Sequence, residues 1–128
     1  MKSRVLPIVV LALLAGCSEL PFSSDDATTR VAYGTGFSMC IGYCYTQIAV
    51  AGTDVTLAER SFDDPEYPPR VRTFKISETE WQRIVELADP AALEQVEGVH
   101  GCPDCADGGL EYVELRADGR LIRSTYDY

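Results

Sequence analysis

Leu110-Glu111-Tyr112-Val113-Glu114-Leu115-Arg116-Ala117, then Asp118-Gly119, then Arg120-Leu121-Ile122-Arg123-Ser124-Thr125-Tyr126 reads as a β-hairpin. Asp-Gly supplies the positive backbone angles that a two-residue turn requires, and the flanking runs alternate apolar with polar side chains. Upstream, residues 98–109 hold four glycines and a proline and read as a long loop. Residues 91–96 read as one or two helical turns opened by Asp89-Pro90, because Asp caps a helix and Pro suits its first position. Further back, Ser77-Glu78-Thr79-Glu80 forms a capping box, in which the Ser hydroxyl and the Glu carboxylate each take an orphan amide. Trp81, Ile84, Val85 and Ala88 then fall at i, i+3, i+4 and i+7, with Leu87 beside them, the spacing of an amphipathic helix that packs one stripe on a sheet.

The strands before that helix are less uniform. Residues 45–51 alternate, with Thr46, Ile48 and Val50 on one side and Tyr45, Gln47 and Ala49 on the other; Gly52-Thr53-Asp54 turns the chain, and Val55 and Leu57 continue the apolar side. Residues 31–37 contain Gly34 and Gly36, which mark a weak or bulged strand. Residues 62–69 form a loop whose Pro65, Pro68 and Pro69 lack ladder donors, and residues 70–76 are a further candidate strand. The expected order is β-β-β-α-β-β, an α+β fold: a mostly antiparallel sheet of about five strands with one main helix on one face. Trp81 and Tyr112 are its expected core aromatics.

One domain is all that 128 residues allow. The formal charge of −9 makes nucleic acid a poor partner, since an acidic surface repels phosphate backbones. Met1-Lys2-Ser3-Arg4 is a short basic start, and residues 5–14 are apolar apart from Pro7. That run is shorter than the roughly 20 residues a membrane-spanning helix needs, and matches a signal-peptide core.

Leu14-Ala15-Gly16-Cys17 closes the run and resembles the lipobox of bacterial lipoproteins. The resemblance implies cleavage after Gly16, diacylglycerol on the Cys17 sulfur, and acylation of the new amino group. Several acyl chains anchor a protein stably where one does not. Ser18, rather than Asp, after the lipid-bearing Cys implies sorting to the outer membrane, with the domain facing the periplasm. On this reading residues 1–16 are the signal peptide, residues 17–29 the lipidated Cys and a polar tether, and residues 30–128 the folded body. Cleavage removes Lys2 and Arg4 and no acid, leaving nine basic against twenty acidic residues, a net charge of −11. The expected partners are the membrane, through Cys17, and a protein of the envelope.

With Cys17 set aside, the chemistry rests on Cys40, Cys44, Cys102 and Cys105. Export to an oxidising compartment favours two structural disulfides, with three connectivities open. Local pairing of Cys40 with Cys44 needs a tight turn, which Gly42 permits. Two short Cys pairs also have the spacing of a four-thiolate zinc site. Cys102-Pro103-Asp104-Cys105 has the spacing of a thiol-redox motif, although Ala106-Asp107-Gly108-Gly109 breaks the helix such a motif should open. His100 stands two residues before Cys102, without an evident orienting group. Asp104, Asp107 and Glu111 lack the ladder of a calcium loop. Tyr43, Tyr45, Tyr126 and Tyr128 are candidates for an aromatic contact surface. No cofactor and no catalytic residue is expected, and the alternative to a stapled binding, inhibitor or structural module is a metal-binding or thiol-redox protein built on the four cysteines.

Cys40-Ile41-Gly42-Tyr43-Cys44-Tyr45-Thr46-Gln47-Ile48 is similar to the opening Cys-x-Gly-x-Cys strand of a family of small secreted or lipid-anchored bacterial domains to which no activity is assigned. Members continue with a hairpin, a loop, a helix starting at Ser or Thr, and a final pair of strands, an order this chain follows from about Val31 to Tyr128. One branch is also similar across residues 101–109. Many members have Pro after the second Cys, where this chain has Tyr45. The resemblance implies domain limits and supplies no substrate.

Overall fold

The computed structural model describes residues 29–128, so the expectations for the signal peptide, Cys17 and most of the tether fall outside it. The chain runs β1 (Arg30–Gly36), β2 (Tyr45–Ala51), β3 (Asp54–Arg60), β4 (Arg70–Lys75), α1 (Glu78–Leu87), α2 (Pro90–Glu94), β5 (Gly98–Val99), a 3₁₀ turn (Cys105–Asp107), β6 (Leu110–Ala117) and β7 (Arg120–Asp127). The strands form one sheet in the order β4-β3-β2-β1-β6-β7-β5, antiparallel except for the β5–β7 pair. The architecture is α+β, as expected, but with seven strands rather than about five. All four candidates before the helix pair, and two residues inside the expected 98–109 loop add β5 in parallel to Ser124 and Thr125.

Local signals explain the turns. Asp118 and Gly119 both take positive φ, 50° and 72°, so the tight reversal the dipeptide encodes is formed. Gly52 takes φ +59° in the two-residue link between Ala51 and Asp54. The capping box is complete: Ser77 Oγ accepts from the Glu80 amide at 3.2 Å, and the Glu80 carboxylate accepts from the Ser77 amide at 2.8 Å. Hydrogen bonds from the Ser77 hydroxyl and amide hold the Glu80 carboxyl below its ordinary value. Ser77→Ala is expected to cost about 1 kcal/mol, measured by denaturant unfolding, with the slope of the transition unchanged.

Residue 31–37 is where the sequence reading departs most from the structure. The strand expected to be weak or bulged is regular and central, paired along its whole length with β2 on one side and β6 on the other. The register assigns each side chain to a face. Val31, Ile48, Val50, Val55, Leu57, Val113, Leu115 and Ile122 share one face. The helical layer sits there: Ile84, Ala88, Ala92, Leu93 and Val96 line an apolar groove against Val31, Val113 and Leu115, with Leu87 only at its outer rim. Val55, Leu115 and Ile122 are each 2% exposed, and Trp81 is the buried residue of α1. Ile84, Val85 and Ala88 are half-buried as their spacing requires, whereas Leu87 projects outward. Among the described residues no helix is long and apolar enough to cross a membrane.

Candidate functional site

The other sheet face carries no helix among the described residues. Its middle is floored by Ala32, Gly34 and Gly36 of β1, Ala49 and Ala51 of β2, and Ala58 of β3, all placed there by the register. Long polar side chains from neighbouring strands cross this floor. Arg30 Nη1 donates to Glu114 at 3.0 Å and Nη2 to Gln47 Oε1 at 3.2 Å; Gln47 Nε2 donates in turn to the Tyr112 hydroxyl at 2.7 Å. The Arg123 guanidinium lies 3.7 Å from the Tyr112 ring centroid and 3.8 Å from the Glu114 carboxylate. Tyr112, expected in the core, therefore belongs to this open face and is half-buried. Its phenol needs a partner, and Gln47, two strands away, provides it.

Glycine makes that reach feasible. Gly34 is paired with both Tyr112 and Gln47, so the three residues form one row across β6, β1 and β2. A Cβ on Gly34 would lie 2.4 Å from the Tyr112 ring, and one on Gly36 would lie 2.8 Å from the Tyr45 ring. Both tyrosine rings occupy the space that a side chain on the facing strand glycine would need, so each covers a bare stretch of backbone. Two shallow hollows result, of about 500 Å³ and about 450 Å³, which share Gln47, Ala58 and Arg60 and so adjoin as one trough. By register the face carries Arg30, Arg60, Lys75, Arg116 and Arg123 against Asp54, Glu114 and Asp127. It is thus a positive face on a chain of formal charge −9.

Cysteine pairs lie at one end of the sheet. Cys40 and Cys44 are at disulfide distance with Cα atoms 5.5 Å apart, as are Cys102 and Cys105 at 5.4 Å. Gly42 takes φ +93° between the first pair, the turn that local pairing demands. Cys44 is buried and extends the ladder, its amide donating to Arg60 and its carbonyl accepting from Phe37, both at 3.0 Å. The two cysteine loops touch through the Ser38 amide, which donates to Asp104 Oδ1 at 3.0 Å. Among the described residues no group of three or more His, Cys, Asp or Glu side chains is placed to hold a metal ion, so the four-thiolate arrangement is not formed. Nor does Cys105 open an α-helix: Asp104, Ala106 and Asp107 take positive φ and the turn stops after three residues. The redox motif thus lacks the helix N-terminus that would lower its thiol pKa.

Short loops set the energetics of these links. In the chain-entropy model each local bridge stabilises by about 2 kcal/mol, where a bridge across roughly 60 residues would give about 4. The bridges shape loops more than they hold the domain. Peptide mapping of the oxidised protein is expected to recover 40–44 and 102–105 links, with no peptide joining the two loops, and a mass four hydrogens below that of the reduced form. Bonds from the Ser38 side chain and amide hold the Asp104 carboxyl below its ordinary value. A depressed carboxylate contributes stability that is present above its unfolded value and is lost as pH falls through the folded one. Amide exchange at Ser38, corrected for intrinsic rate, is therefore expected to accelerate on acidification below about pH 4, and Asp104→Asn should remove that dependence.

His100 serves the fold. Its Nε2 donates to the Val96 carbonyl at 2.6 Å, its ring stacks on Tyr126 at 5.0 Å, and its amide donates to Thr125 at 2.8 Å. The Tyr126 hydroxyl donates to Ser124 Oγ at 2.8 Å, and the fully buried Ser124 donates to the same Val96 carbonyl. The other tyrosines of the expected aromatic surface have separate partners: Tyr43 meets Tyr67 and Arg70, Tyr45 meets Phe62, and Tyr128 meets Phe37. Cys17 and its lipid lie outside the described residues.

Comparison with protein-family models and with curated proteins finds no match. The residues that the sequence reading missed are Arg30, Gln47, Glu114 and Arg123. The Asp118-Gly119 hairpin sets Glu114 opposite Arg123, but only strand order shows that Arg30 and Gln47 meet them.

Proposed function

We propose that the chain is a lipid-anchored envelope protein, held at the outer membrane through Cys17, whose body is a non-enzymatic binding module of the Cys-x-Gly-x-Cys kind. The reading is supported by the lipobox-like quartet and by one observation above all: among the described residues nothing covers one face of the sheet, and that face carries a fixed polar network over a Gly and Ala floor. A face needed only for solubility has no use for a trough whose side chains hold one another in place. The hydroxyl and imidazole of Ser124 and His100 are spent on the Val96 carbonyl, which supports binding rather than catalysis.

Two measurements test this reading. Radiolabelled palmitate is expected on the wild-type protein in growing cells, with Cys17→Ser abolishing the label and releasing the protein from the membrane fraction. An unlabelled wild-type protein overturns the anchor. A photo-crosslinking side chain at Thr56, which lines the trough, is expected to give one discrete adduct in envelopes, and the same group at Asp118 in the far turn none. No adduct at 56, or equal adducts at both positions, overturns the binding face.

A further inference from the structure

The larger hollow of the open face says what chemistry it suits. It is walled by Tyr45 and Tyr112, floored by Gln47 and Ala58, and flanked by Arg60 and Arg123, with Ser61 and Asp64 at the rim. Its size of about 500 Å³ falls within the range of small-ligand sites. Arg60 from β3 and Arg123 from β7 line the hollow from opposite sides of the sheet centre. Arg60 makes no ion pair among the described residues. Arg123 is committed only in part: its plane covers the Tyr112 ring, and its nearest carboxylate oxygen is 3.8 Å away on Glu114. Arginine forks match the two oxygens of a carboxylate. The Tyr45 ring, fixed over Gly36 and against Phe62 at 5.1 Å, offers a rigid aromatic wall.

We propose that this hollow binds a small organic carboxylate attached to a ring, the carboxylate between Arg60 and Arg123 and the ring against Tyr45. The proposal rests on the binding-module reading and names its ligand class. Asp64 is the one acid in the lining and faces the bound anion from the rim, so it disfavours ligands that carry a second negative charge at that end.

Benzoate and benzamide serve as probes, since they share shape and differ in charge. In an amide-shift titration of the purified full-length protein in detergent, benzoate is expected to move Gln47, Ala58, Arg60, Ser61 and Tyr112 saturably, and benzamide to bind at least tenfold more weakly. Arg60→Gln, at an exposed position with no ion pair to lose among the described residues, should weaken benzoate at least fivefold and leave benzamide unchanged, with the rest of the spectrum intact. Equal binding of the two probes, shifts centred elsewhere, or no effect of Arg60→Gln overturns the proposal. If the Thr56 adduct forms while benzoate fails, the ligand class falls and the binding face stands; if both fail, both fall.

Discussion

Trp81→Ala is expected to remove about 3–5 kcal/mol of stability, the range for truncating a buried aromatic. Small domains hold about 5–15 kcal/mol in total, so this one change is expected to bring the body to the edge of unfolding at 37 °C. The effect is large because the helical layer has little else to hold it. Trp81 is the buried residue of α1, α2 contributes none, and Leu87 projects into solvent. Isolated helices this short are not stable in water, so α1 exists because its one aromatic anchor is covered. Urea unfolding checks the magnitude. A second reading separates local from global loss: in Trp81→Phe, which keeps most of the apolar volume, the cost should fall to a fraction of that in Trp81→Ala. Equal costs for the two would mean that the indole is not the anchor.

Gly34→Val is expected to cost about 3 kcal/mol, the upper part of the range for overpacking a fitted site. Two effects oppose each other at this position. Val is a far better strand residue than Gly, which favours the variant by up to about 1 kcal/mol. Against that, the first side-chain carbon alone would sit 2.4 Å from the Tyr112 ring. The ring must leave, and with it go its bond to Gln47 and its stacking with Arg123. Sterics win because displacing the ring breaks both its bond to Gln47 and its contact with Arg123. The cycle that proves the cause is Gly34→Val with Tyr112→Ala. If the ring is what the new side chain meets, the double variant is less destabilised than the sum of the singles, with a coupling of about 1–3 kcal/mol. Additive costs would place the strain elsewhere.

These two sites also show what could be read from residue types alone. Ser77 with Glu80, Asp118-Gly119 and the Gly42 turn act within a few residues of chain, so their chemistry is complete in the local sequence. The stripe of Trp81, Ile84, Val85 and Ala88 is legible for the same reason. Gly34 is not, because a glycine in a strand weakens it unless a ring covers it, and the ring belongs to β6. The Gln47–Tyr112 bond spans 65 residues. Alternation shows that Gln47 and Tyr112 each leave the apolar side of their strands, yet nothing local shows that they face one another. The Arg123 contacts with Tyr112 and Glu114 lie within the β6–β7 hairpin, but the bonds that join this hairpin to Arg30 and Gln47 are long-range, and no local pattern carries them. β5 was hidden for a different reason: two residues among glycines carry no period.

The placement of β1 has a consequence for how the chain is made. Its first neighbour, β2, follows within a few residues, but its second, β6, is supplied near the C-terminus; the Arg30–Glu114 bond spans 84 residues. Without those last strands, β1 to β4 form a four-strand meander whose edge is β1, bare along the side that β6 covers in the complete sheet. A premature stop before residue 110 would thus strip the neighbour of the central strand rather than trim the sheet's margin, leaving a product prone to pair with its own copies.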